Sequence, residues 1–296
     1  MEIPEFDLER WIQEFPLNKV PPEHRCGGSI VDPASIAVIE QIRRKASVRG
    51  ELGPSVPTDV FVLGLGEPER RDLTKVGGLP YRPASAPWPL TRSGKPMTFW
   101  CQYRFTESRD IFVDLPGDIL LVFVEDHTVS YGDPVDFVHF EWQPLGLTEL
   151  VEPQNVPPPE WLFVTCYGVR HRTVDYDVEQ ALASLAEVTP DFPVSDPMYK
   201  TWVEMIACLR GMKIGGRFPW LDRDLPDPAL DLPGRPLCML TAIVPSSIGR
   251  YPWINHPEPI GSVLFDKATS LLLRDGFVFM VSIDDKMDLH WTIHFG

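Results

Sequence analysis

The chain has 296 residues, of which 42 are acidic and 27 basic. The formal net charge of -15 opposes a nucleic-acid backbone and argues against DNA or RNA as partner. An apolar fraction of 44% with 23% charged residues belongs to a globular chain and excludes wholesale disorder. The 32 prolines and 21 glycines disfavour long helices and favour short elements joined by ordered turns.

The start, MEIPEFDLERW, has acidic residues where a secretory signal carries basic ones. No run reaches the roughly 18 apolar residues of a membrane span, so a cytoplasmic protein without a membrane partner is expected. Cys26, Cys101, Cys166, Cys208 and Cys238 are odd in number and widely spaced, which predicts free thiols in a reducing compartment.

In chain order, residues 7–15 (DLERWIQEF) form a short amphipathic pattern ending before Pro16. Asp32 can cap a second helix, with Pro33 in its first turn and Ile36, Val38, Ile39 and Ile42 on one side. Arg43, Arg44 and Lys45 read as its solvated face. The run VFVLGLG over 60–66 predicts a strand interrupted by Gly64 and Gly66. The stretch holding Gly77, Gly78, Pro80, Pro83, Pro87 and Pro89 predicts an ordered loop around Tyr81 and Trp88. Strands are expected over 97–105, after the Pro116-Gly117 turn signal in DILLVFVED, and over 135–142.

NVPPPEW marks a boundary near residues 152–160. Beyond it, WLFVTCYGV predicts a strand, and Val178, Ala181, Leu182 and Leu185 have helical spacing within 175–187. A further helix is expected from Pro197 to Arg210, with Gly211 as its stop. Residues 237–244 predict a strand, 271–285 two strands about an Asp275-Gly276 turn, and 289–295 a final edge or central strand. The fold class is α+β and β-rich.

The two halves repeat one another. Lys75-Val76-Gly77-Gly78 is answered by Lys213-Ile214-Gly215-Gly216, 138 positions on, and Gly94-Lys95-Pro96-Met97 by Gly234-Arg235-Pro236-Leu237, 140 positions on. At a larger offset, residues 117–123 resemble 276–281. This predicts two similar sheet-containing units packed around a pseudo-two-fold. The expected divisions are an N-terminal helical extension with the first strand (1–69), a first β-rich unit (70–155) and a second unit with inserted helices (156–296).

The series KVGGLPYRP, WP, GKPMTFWCQ, PGDILLVFVED and MKIGGRFPW, in this order, resembles the YwqG-like family, also called DUF1963, over about residues 70–296. The resemblance implies that 70–296 is one compact domain of this kind and that the first 60–70 residues are an extension peculiar to a subgroup. It implies no established reaction. Some relatives are similar to proteins encoded near bacterial toxin systems, which points to an immunity or interaction role. The sequence departs from the family pattern at PLCMLTAIVPSS and at Leu273-Arg274-Asp275.

The glycine pairs can cradle an anion with backbone N–H groups, helped by Lys75 and Lys213 if the loops converge. The alternative is a structural turn at positive φ. Trp88 and Trp220 follow the two pairs and either line a recognition groove or close the ends of the sheets. Lys75, Gly77, Gly78, Trp88, Lys213, Gly215, Gly216 and Trp220 are therefore the candidate partner or ligand surface.

Neither glycine pair lies in a nucleotide-binding fingerprint. Asp222, Asp224, Asp227 and Asp231 lack the glycine and terminal glutamate of a calcium loop and read as a solvated acidic loop. His24 and Cys26 lack the second pair a zinc site needs, and no G-x-S-x-G elbow is present. No catalytic residue, cofactor or metal ligand is assigned. The expected function is a non-catalytic, immunity-like binding protein with a basic protein partner. The alternative is a metal-assisted hydrolase or other small-molecule enzyme with its cleft between the two units.

Overall fold

A computed structural model describes residue 43 and residues 53–65, 67–125, 138–158, 165–178, 180–181, 207–209, 211–218, 232–241, 254–255 and 277–295. The expected helices over 7–15 and 32–42, most of those over 175–187 and 197–210, the Asp275-Gly276 turn, the acidic loop at Asp222–Asp231 and Trp220 lie outside these residues.

Among the described residues, eleven strands form one hydrogen-bonded ladder: β1 (Val56–Leu65), β2 (Lys75–Val76), β3 (Thr98–Arg104), β4 (Ile119–Val124), β5 (Val138–Gln143), β6 (Cys166–Asp175), β7 (Lys213–Gly215), β8 (Arg235–Thr241), β9 (Ile254–Asn255), β10 (Phe277–Ile283) and β11 (Leu289–Phe295). Their order is β11-β10-β8-β7-β1-β6-β2-β3-β4-β5, with β9 added parallel to β1. Exchanging β1 for β6, β2 for β7, β3 for β8, β4 for β10 and β5 for β11 returns the same order read backwards. At the centre, β1 and β6 pair antiparallel from Val56↔Asp175 to Leu65↔Cys166.

The ladder divides at this central pair into sheets of five and six strands, and rings from both meet in one core. Trp100 of β3 lies 4.9 Å from Phe279 of β10, and Phe140 of β5 stacks at 6.4 Å on the same ring. The seven residues of β3 and the six of β4 are all buried, which explains why β4 reads as a continuous apolar run instead of alternating. β5 and β11 end the ladder among the described residues and are only partly buried. Of the edge and central placements left open for the last strand, the described residues place it at the edge.

The structure moves some elements. β6 runs ten residues to Asp175, past the strand expected from WLFVTCYGV. Its second part, Val169–Val174, carries Arg170, His171 and Arg172, whose polarity masks a strand. These arginines serve Asp59 of β1, which is fully buried: Arg170 Nη1 lies 3.4 Å and Arg172 Nη2 3.0 Å from its carboxylate, and Ser108 Oγ donates to it at 2.6 Å. Gly64 stays within β1 instead of ending it. Arg43, expected on a solvated face, is buried, with its guanidinium 5.5 Å over the Tyr176 ring and a hydrogen bond to Val174 O.

Phe279 joins both halves, so Phe279→Ala should cost about 3–5 kcal/mol. Urea denaturation should show the loss as one transition shared by probes in β3 and β10, not as separate melting of two halves.

Candidate functional site

The repeated Lys-apolar-Gly-Gly motif forms the same device twice. Lys75 and Lys213 sit in the short strands β2 and β7, and both side chains are buried. Lys75 Nζ is ion-paired with Glu67, and Lys213 Nζ with Asp175 Oδ2 at 2.7 Å. Each carboxylate also accepts a backbone N–H four residues past its lysine: Leu79 to Glu67 at 3.1 Å and Arg217 to Asp175 at 2.9 Å. The main chain repeats likewise, since Gly168 N donates to Thr74 O at 2.7 Å and Phe61 N to Met212 O at 2.9 Å.

The glycine pairs explain how the chain turns around these carboxylates. Gly77, Gly78, Gly215 and Gly216 have φ of 65°, 72°, 69° and 70°, in the left-handed region. A Cβ on Gly78 would overlap Glu67 Oε2, and one on Gly216 would overlap Asp175 Oδ2. Of the two alternatives read from sequence, the geometry supports the structural turn. The lysine amines face protein carboxylates inside the fold.

The two copies differ in wetness. Asp175 is fully buried and accepts a third hydrogen bond from Leu209 N at 3.0 Å, whereas Glu67 is 32% exposed. Burial pushes the Lys75 amine down, and the Glu67 hydrogen bond and charge pull it back only in part.

Trp88 lies elsewhere, in an open groove of about 690 Å³ beside β5. Pro83, Ala86, Pro87 and Pro89 form one side of it and His139, Glu141 and Trp142 the other, with Arg82 at the base. Arg82 is nearly solvent-free. Its Nε and Nη2 grip Glu141 at 2.6 and 3.0 Å, and Nη1 donates to Ala86 O at 2.9 Å. The guanidinium also lies 5.5 Å from the centroid of the Trp88 ring. Trp88 Nε1 donates to Met97 O at 2.7 Å, and the ring meets Phe123 edge-on at 5.4 Å.

Both groove walls are thus fixed to each other through one buried cation. Burial pushes the Glu141 carboxyl up, but the His139 and Arg82 hydrogen bonds outweigh it and hold the group below the usual carboxylate range. Arg82, Glu141, Glu67 and Asp175 were not among the residues singled out from sequence. Their signal is weak, because isolated charged residues in a chain with 42 carboxylates carry little information.

Among the described residues, no group of three His, Cys, Asp or Glu side chains is placed to hold a metal ion. Nor is any helix there long and apolar enough to cross a membrane. Cys101, Cys208 and Cys238 are buried. For Cys101 and Cys238, burial in the shared core pushes the thiols upward, away from a reactive form.

These features define a β-rich protein of two sheet halves, each anchored by a buried lysine pair, with a preformed groove on the first half. The family model described as "Domain of unknown function (DUF1963)" matches residues 74–150. Over that segment it agrees with the resemblance to the YwqG-like, DUF1963 family read from the sequence. The matched segment spans β2 to β5 and contains Lys75, the glycine turn and every residue of the groove. No curated protein matches the chain.

Gly216→Ala should destabilise the fold by more than the ~1–2 kcal/mol of the left-handed backbone alone, because its Cβ displaces Asp175. Chemical denaturation against wild type measures this. Lys213→Met should cost about 3–5 kcal/mol, as expected for stranding a buried carboxylate, and Lys75→Met less, because water reaches Glu67. Equal losses at the two positions would contradict the assigned difference in burial.

The depressed Glu141 carboxyl also sets a pH dependence. Its ion pair stabilises the fold fully above the unfolded-state value of about 4.3 and is lost as pH falls through the lower folded-state value. The melting-temperature gap between wild type and Glu141→Gln should therefore be widest near neutral pH and close on acidification.

Proposed function

We propose that this chain is a non-catalytic binding protein whose recognition surface is the Trp88 groove. The observation that carries the reading is the rigidity of that groove. Its two walls are tied by the bidentate Arg82–Glu141 pair, and Trp88 is fixed at its indole nitrogen and its ring edge. A preformed aromatic and proline surface binds with little ordering cost, and tryptophans are favoured as contact anchors.

Because Arg82 and Glu141 neutralise each other, contacts in the groove are mainly apolar. The net charge of -15 acts at longer range, where it would speed the approach of a basic protein partner. A cytoplasmic, immunity-like role fits such a partner. The palindromic strand order supports reading 70–155 and 156–296 as two units about a pseudo-two-fold. In that reading β1 is exchanged into the second unit, and residues 1–69 otherwise form an extension.

The test fills the groove from a residue that supports it only through its main-chain carbonyl, which a side-chain substitution keeps. Ala86 lines it and is only partly exposed, so Ala86→Arg should block the surface while leaving the melting temperature within about 1–2 °C of wild type, as for a change of ~0.5 kcal/mol or less. Affinity capture from the source cell should recover a stoichiometric basic protein with wild type, released by raised salt, and lose it with the variant. Capture of the same partner by both proteins would remove the groove from the interaction.

A further inference from the structure

The two lysine devices differ in one chemical respect. Beside Lys213 stands a thiol, and the corresponding Lys75 pair has none among its contacts with the described residues. Cys208 Sγ lies 3.5 Å from Lys213 Nζ, 3.2 Å from Arg217 O and 4.0 Å from Asp175 Oδ2. Lys213 Nζ also donates to Leu209 O at 2.7 Å and to Arg217 O. Thiol, amine and carboxylate are all buried, so their mutual placement is set by packing.

We propose that Cys208 and Lys213 are an oxidation site at which peroxide joins the two side chains through one oxygen atom, giving an Sγ–O–Nζ bridge. A cationic neighbour activates a thiol, and Lys213 Nζ, 3.5 Å from Cys208 Sγ, supplies one inside an otherwise buried site. One hydrogen peroxide converts the thiol to a sulfenic acid with release of water. A second peroxide oxidises the sulfenic acid and the amine together. The S–O bond is kept, an O–N bond forms, one N–H and the sulfenic O–H are lost, and two waters leave.

The amine must first give up the extra proton of its ammonium form, and Asp175 Oδ2 at 2.7 Å is placed to accept it. The 3.5 Å separation leaves room for one bridging atom after a small side-chain rotation. Closed, the bridge would replace the ammonium by a weakly basic nitrogen and remove the ion pair with Asp175. Oxidation would thereby loosen the second anchor and leave the first untouched.

The experiment treats the full-length protein with hydrogen peroxide, digests it without reductant and maps it by mass spectrometry. The expected product joins the Cys208 and Lys213 peptides, with one oxygen gained and two hydrogens lost. A thiol reductant should reverse it, and the Lys75 peptide should be unmodified. The oxidised protein should melt several degrees lower and recover on reduction. Cys208→Ser, which keeps the Lys213–Asp175 pair, should show neither bridge nor shift. Lys213→Arg should stop at Cys208 oxygenation. Wild-type oxidation that leaves Lys213 unmodified, or that gives only sulfinic acid, sulfonic acid or an intermolecular disulfide at Cys208, would overturn the proposal, as would no reaction.

Discussion

A lysine amine carried into a sheet interior has to find a carboxylate there, since an isolated buried charge is strongly destabilising. Both halves of this protein are organised around that requirement. In each, the short strand bearing the lysine pairs with a long central strand, β2 with β6 and β7 with β1. The carboxylate that meets the amine also receives a backbone N–H from the turn beyond the glycines. The turn, the strand pairing and the ion pair therefore stand or fall together. Because Asp175 closes β6 and Lys213 opens β7, the second anchor spans residues far apart in sequence.

The central strands are exchanged in their sequence order. β1 precedes the first lysine motif, yet it bonds to β6, β7 and β9, all from later in the chain. β6 in turn bonds to β2. Neither half can complete its ladder from its own consecutive residues. The shared ring cluster of Trp100, Phe140, Phe279 and Trp291 adds a second reason for the halves to form together.

The groove on the first half uses the same principle near the surface. Arg82 spends its charge on Glu141 and its remaining donors on loop carbonyls, which holds a proline-rich segment against β5. What is left open to a partner is the shape of the walls. Most of the charge of this acidic protein lies outside the groove, so long-range attraction and close contact are separate contributions to binding.

Strand-forming runs such as ILLVFV in β4 were legible from composition, because a strand buried on both faces needs apolar residues throughout. So was the duplicated glycine turn, since two consecutive positive-φ residues require glycine in both copies. The lysine partners were not legible. Glu67 precedes Lys75 by 8 residues, whereas Asp175 precedes Lys213 by 38, so no common spacing marks them. The polar second part of β6 hid in the same way, its arginines answering a buried Asp59 that belongs to another strand. Local backbone demands and bulk burial leave a mark on consecutive residues. The pairing of charges across a ladder leaves none, because it depends on which strands the folded chain brings side by side.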